Sequence, residues 1–179
     1  LGRYTDAVRI LQPHAEQDGA LPETHFLLGR SLAELGRSER AMGRFRKTVE
    51  VEPRFAGAYF EGARLLRESG DSEGAFELLS RASAILPEEV TFNRELAQLV
   101  LEQNLDVEAG LAACDRLMVT DEENNWEYLS WIAQLYLRRG WRREARDPLR
   151  KALALIPRQR TGERLKLEQR LREIEEEKA

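Results

Sequence analysis

The sequence predicts an all-α solenoid, a row of antiparallel helix pairs closed by one further helix. Three observations predict it. Ala7, Ala41, Ala75 and Ala109 stand 34 residues apart, and Ala145 follows after 36. Gly2, Gly36, Gly70 and Gly140 each lie five residues before their alanine, with Asn104 in the same slot. Pro53, Pro87 and Pro157 each lie twelve residues after theirs, with Asp121 in that slot. A fixed period of this length marks helical repeats that bury their apolar faces only by stacking on one another.

The elements follow in order across a single domain, residues 1–179. Residues 1–21 form a partial repeat that retains only a second helix, from Gly2 to about Gln17. The chain begins with Leu inside this half repeat, which predicts a fragment of a longer protein. Four repeats follow, at 22–55, 56–89, 90–125 and 126–159. Their first helices are predicted over 22–35, 56–69, 90–103 and 126–139, where apolar residues fall three and four apart, as in Phe26, Leu27, Leu28, Leu32 and Leu35. A glycine turn comes next, since a left-handed backbone is cheap without a Cβ. The second helices start near Ser38, Asp71, Asp106 and Arg142, with Ser38 and Asp71 read as N-caps. The closing prolines end them. Pro148 falls inside the last of these helices and predicts a kink or a lost hydrogen bond, not a stop. Residues 160–179 form a capping helix from about Thr161 to Glu177, with an apolar stripe of Leu165, Leu167, Leu171 and Ile174.

Small residues recur where helices must approach. Gly29, Ala63, Ala97 and Ala133 stand in the first helices, and Ala41, Ala75, Ala109 and Ala145 in the second, beside Phe45, Leu79 and Leu149. A small residue in the first helix, a glycine turn, alanine and an apolar residue in the second and a closing proline are met by Gly29, Gly36, Ala41, Phe45 and Pro53. Ala63, Gly70, Ala75, Leu79, Ala82 and Pro87 meet the pattern again, as do Trp126, Ala133, Tyr136, Gly140, Ala145, Leu149, Ala152 and Pro157. On these residues the chain resembles the tetratricopeptide-repeat family, which implies a right-handed α-solenoid. The third repeat departs at Asn104, Ala113, Arg116 and Asp121. Arg116 stands where its neighbours place Thr48, Ala82 and Ala152, and two extra residues follow in the Asp121–Asn125 turn. A buried unpaired arginine is costly, so a loosened joint and faster amide exchange are expected there.

The composition excludes more than it specifies. The net charge is −4 and there is one cysteine, Cys114, so no internal disulfide forms. A cytoplasmic location is expected, with the periplasm left open by the missing N-terminus. The two histidines, His14 and His25, match no metal-ligand spacing. No phosphate loop or nucleophile elbow occurs, so neither an enzyme nor a cofactor nor a metal is expected. No run approaches the apolar length of a membrane span. Residues 138–172 carry 13 basic and 4 acidic side chains, against 14 basic and 24 acidic over 1–137. The basic block includes Arg138, Arg139, Arg142, Arg143, Arg146, Arg150, Lys151, Arg158 and Arg160. No aromatic ladder is interleaved with it, which disfavours nucleic acid. Trp126 and Trp131 are read as core and groove residues of the fourth repeat.

The family resemblance implies that the first helices line a concave groove whose ligand-facing residues lie four apart. Here those pairs are Phe26/Arg30, Phe60/Arg64, Arg94/Gln98 and Ser130/Gln134, with three arginines and no acid. They suggest a groove for a protein or peptide partner of acidic character, because arginine offers forked donors to carboxylates. Glu23, Glu34, Glu61, Glu68 and Glu95 lie close enough in sequence to neutralise them. The lysine and asparagine clamp of the chaperone-binding members is missing; Glu61, Thr91 and Glu95 stand at its sites. The expected function is a protein-interaction scaffold of bacterial type, with no small-molecule substrate. The alternatives are a substrate-recruiting arm of a larger enzyme and a self-assembling structural solenoid.

Overall fold

The computed structural model describes residues 2–176 and divides into two compact units, Leu1–Leu86 and Pro87–Ala179. The first unit holds α1 (Gly2–Ala15), α2 (Pro22–Glu34), α3 (Ser38–Val51), α4 (Ala56–Glu68) and α5 (Ser72–Ile85). The second holds α6 (Val90–Gln103), α7 (Val107–Thr120), a 3-10 turn (Glu122–Asn124), α8 (Asn125–Arg138), α9 (Arg142–Leu155) and α10 (Thr161–Glu176). Glu177, expected to end the last helix, lies outside the described residues. Within each unit successive helices pack as hairpins, and first helices also touch, α2 on α4 and α6 on α8. The fold is an all-α helical repeat.

The turns show why the period is kept. Gly36, Gly70 and Gly140 have φ of 71°, 79° and 76°. Each sits between two crossed backbone bonds: Arg37 N–H donates to Leu32 O (2.9 Å) and Gly36 N–H to Ala33 O (2.8 Å). Asp71 with Leu66, and Trp141 with Tyr136, repeat the longer bond at 2.9 Å. This closure satisfies carbonyls that a helix end leaves free. Asn104 takes the left-handed conformation at φ 54° in place of glycine. Asp71 caps α5 by accepting from Gly74 N–H, and Asp106 caps α7. Ser38 does not cap α3. It is the first helical residue, and Arg37 precedes it without a side-chain cap bond.

The small residues lie in the core, with Ala41, Ala63, Ala75, Ala97, Ala133 and Ala145 wholly buried. At Gly29 the helices approach closely: a Cβ there would stand 2.7 Å from Cε1 of Phe45. Pro148 is buried within α9, which runs unbroken as one helix through it. In α10, Leu167 and Ile174 are buried against Leu129, Ala133, Leu149 and Ile156, with Leu171 packed beside them. Leu165, expected in that stripe, is instead exposed.

The third repeat requires a correction. Helix-opening bonds run from Ala41 to Arg37, Ala75 to Asp71, Gly110 to Asp106 and Ala145 to Trp141. Gly110, not Ala109, is therefore the close-packing residue of α7, and Ala109 is only half-buried. The closing bonds agree, since Glu52, Leu86, Asp121 and Ile156 donate to Thr48, Ala82, Leu117 and Ala152. Leu117, fully buried, holds the core slot. Arg116 falls in line with Lys47, Arg81 and Lys151, a cation in the second helix of each of the four full repeats, and is half-buried with an interaction of its own. The two extra residues are divided. Leu105 lengthens the turn before α7, and one more separates Leu117 from Ala133.

Candidate functional site

The predicted groove residues lie on the first helices, and each unit shows its own arrangement. In the first unit Phe26 of α2 is packed structure, half-buried, with ring centroids 5.9 Å from Phe45 and 4.9 Å from Phe55. Phe60 of α4 is exposed. Arg30 places its guanidinium 5.8 Å from the Phe26 ring centroid and its Nε 3.6 Å from Oε1 of Glu61. Arg64 donates to Oε2 of Glu61 through Nε (3.1 Å) and Nη2 (2.8 Å), and through Nη1 to Glu68 (2.7 Å). Glu61 is thus the hub of this face, held between both arginines. The sequence pairs omitted it because they counted only residues four apart.

In the second unit Arg94 of α6 is built into a polar clasp. Its Nη2 donates to Oδ2 of Asp121 (2.9 Å) and its Nη1 to Oε2 of Glu127 (3.1 Å). It also donates to the Tyr128 hydroxyl, which itself donates to Asp121. The guanidinium lies 5.2 Å from the Tyr128 ring centroid and 5.9 Å from that of Trp131. Asn124 Nδ2 donates to both oxygens of Asp121, at 3.0 and 3.1 Å. The hydrogen bond from Tyr128, then those from Asn124 and Arg94, hold the Asp121 carboxyl below its usual range. Burial, then the bond to Asp121, pushes the Tyr128 phenol up. Gln98 is half-buried one turn further along α6.

Ser130 and Gln134 are joined, with Gln134 Nε2 donating to the Ser130 carbonyl at 3.3 Å. They line a recess of about 260 Å³ with Trp126 and Trp131, faced across it by Lys166, Leu167 and Arg170 of α10. Glu127 and Glu163 also line it and are already paired with Arg94 and Arg160. Lys166 and Arg170 make no ion pair or hydrogen bond among the described residues. Read as a cap, α10 hid these two cations; their four-residue spacing on one helix face was the available signal.

The basic block is largely engaged inside the second unit. Arg138 donates to the carbonyls of Val100 (3.2 Å) and Leu101, and Arg139 pairs with Glu108. Arg150 meets Glu175 at 2.6 Å and Lys151 meets Asp147 at 2.7 Å. Trp141 is exposed, with the Arg139 guanidinium 5.7 Å from its ring centroid. Cys114 is buried and its thiol is pushed up to about 12, above all by burial, which makes it a poor nucleophile. No metal-ligating cluster occurs among the described residues, and no described helix is long and apolar enough to cross a membrane.

No protein-family model matches the sequence, and no curated protein does. Solved structures do. MamA residues 41-end from Desulfovibrio magneticus RS-1 matches at 23% identity and TM-score 0.55, over 86% of this chain and 86% of that one. YrrB, described as a TPR protein with an unusual peptide-binding site, matches at 13% identity and TM-score 0.60, over 88% of this chain and 80% of its own. TTC0263, a thermophilic TPR protein of Thermus thermophilus, matches at 22% identity and TM-score 0.50, over 95% and 91%. The fold is the tetratricopeptide-repeat fold. At these identities the likeness concerns the backbone.

Proposed function

We propose that this chain is a protein-interaction module that holds a peptide or helical segment of a partner against its first helices. The α8–α10 recess is the anchor in the second unit. The observation that carries this reading is the recess lining, in which two cations unpaired among the described residues face two indole rings and the Ser130–Gln134 pair. Such a lining suits an acidic side chain or terminal carboxylate next to an apolar one. Arg30, Phe60 and Arg64 offer a second, more neutralised face, while Phe26 and Arg94 hold structure beneath. The peptide-binding site named for YrrB supports the reading by analogy of fold. Helices already packed into hairpins need little ordering on binding.

Selection of a random peptide display library on this chain tests the proposal. Acidic peptides with a neighbouring apolar residue should be enriched. Charge reversal at Lys166 and Arg170 (K166E/R170E) should leave helicity intact and lower their affinity at least about tenfold, equivalent to about 1.4 kcal/mol. Unchanged affinity in the folded double variant would remove the recess from the binding site.

A further inference from the structure

A second cluster lies away from the first-helix face, where α1, α2 and α3 meet. Arg40, Gly43, Arg44 and Lys47 stand at i, i+3, i+4 and i+7 on α3 and so share one helix face. With Ala15 of α1 and His25 of α2 they line one open recess. Gly43 forms its dent, since a Cβ built there meets nothing within 4 Å. Three cations four or fewer residues apart repel one another along a helix, and here they are poorly compensated. Among the described residues Arg40 donates only to the neutral amide of Gln12, at 3.2 Å. Arg44 stands 3.9 Å from Glu16, at the limit of an ion pair. Lys47 meets Glu50 at 3.1 Å with both side chains exposed, where such a pair holds weakly. His25 is 3% exposed, and its Nδ1 has no hydrogen-bond partner.

A buried ring nitrogen without a partner requires an explanation, and the surrounding charges suggest one. We propose that this recess binds a phosphoryl group, with Arg40, Arg44 and Lys47 gripping its oxygens above His25. Two arginines supply forked donors to a tetrahedral oxyanion and lysine adds a point charge. Burial first, then Arg44 and Lys47, hold the imidazole below its ordinary pKa, with Glu50 opposing. A dianion seated among those cations reverses the local field, so binding and protonation of His25 reinforce each other. The site is independent of the peptide face.

The test is an NMR titration of both histidine rings in inorganic phosphate and in sodium chloride at matched ionic strength. Phosphate should raise the His25 pKa by about one unit beyond chloride, a tenfold coupling. Arg40→Gln with Lys47→Gln, both exposed positions whose replacement leaves helicity unchanged, should abolish the difference at His25. A parallel arm with adenosine diphosphate separates the sources. A shift equal to that of phosphate indicates free phosphate, and a larger one at lower concentration indicates a nucleotide. If His25 titrates identically in phosphate and chloride, or the double variant keeps the full effect, the proposal is overturned.

Discussion

Gly29 illustrates how two residue-level terms are decided by magnitude. Helix propensity alone favours alanine over glycine by about 1 kcal/mol, and the three equivalent positions do carry alanine. At Gly29, however, the new Cβ would lie 2.7 Å from the buried Phe45 ring and 3.3 Å from the Ala41 carbonyl oxygen. Overpacking costs about 1–3 kcal/mol, so Gly29→Ala should destabilise the chain in urea unfolding despite its better propensity. Tyr128 gives the second case. Its hydroxyl is the largest cause of the depressed Asp121 value. The folded value is the lower one, so the stabilisation is full above the unfolded value near 3.8 and is lost as pH falls through the folded value. Tyr128→Phe should cost about 1–3 kcal/mol at neutral pH, the loss of a hydrogen bond to a charged group. It should also flatten the decline of stability on the acid side. Parallel urea titrations of both proteins between pH 2 and 7 measure both effects.

Among the elements, α7 and the turn after it have a different register from the one the period predicts. The spacing puts Arg116 in a core slot from which it must reach solvent or a carboxylate, opening the joint; in the structure Leu117 fills that slot and Arg116 stands in a row of partly exposed cations. The missing proline is replaced by the Arg94 clasp, which ties α6 to the 121–124 turn and to α8 through Asp121, Glu127 and Tyr128. Amides of α7 and α8 should therefore be as protected in hydrogen exchange as those of α3 and α5. Arg94→Ala should accelerate exchange in the turn and the first half of α8 at least tenfold, leaving α3 unchanged. Equal exchange in the variant would show the clasp to be idle. What could be read from the sequence follows the same lines. The glycine turns, the helix spans and the small-residue slots are local and periodic, so the letters carried them. The insertion of Leu105 escaped because Ala109 and Gly110 are adjacent small residues, and either one satisfies the pattern. Glu61 is legible as a neutralising neighbour of Arg64, but its pairing with Arg30 and the partners of Arg94 escaped because Arg30 reaches 31 residues, and Arg94 27 and 33 residues, across the fold. The Lys166 and Arg170 recess escaped because a charged terminal helix is read as solvated.

At the scale of the whole molecule the division at Leu86 and Pro87 is marked by bonds that close each unit on itself. In the first, Arg54 Nη1 donates to the Ile85 carbonyl at 2.8 Å, satisfying the last turn of α5. In the second, buried Asn93 donates to the carbonyls of Pro87 (3.0 Å) and Glu89 (3.1 Å), fixing the entry to α6. Each unit also has its own core, around Phe45, Tyr59 and Leu79 in one and Leu117, Leu135 and Leu149 in the other. A helical repeat array is stabilised by nearest-neighbour contacts, and each unit holds several consecutive helices packed on one another. Fragments 1–86 and 87–179 should therefore each be helical and unfold cooperatively, at lower midpoints than the intact chain. Small domains of this length sit near the limit of autonomous stability, which makes the ends matter. Asn93→Ala removes both side-chain hydrogen bonds at the entry to α6, leaving the Glu89 carbonyl only its bond from the Asn93 backbone N–H at 3.5 Å, and should cost fragment 87–179 about 1 kcal/mol. In the intact chain the same substitution should weaken residues 87–176 selectively, seen as faster exchange there with α2–α5 unaffected. A fragment 87–179 that is unfolded at every temperature would show that the second unit is not autonomous. Uniform acceleration across α2–α5 in the intact variant would show that the two units unfold as one.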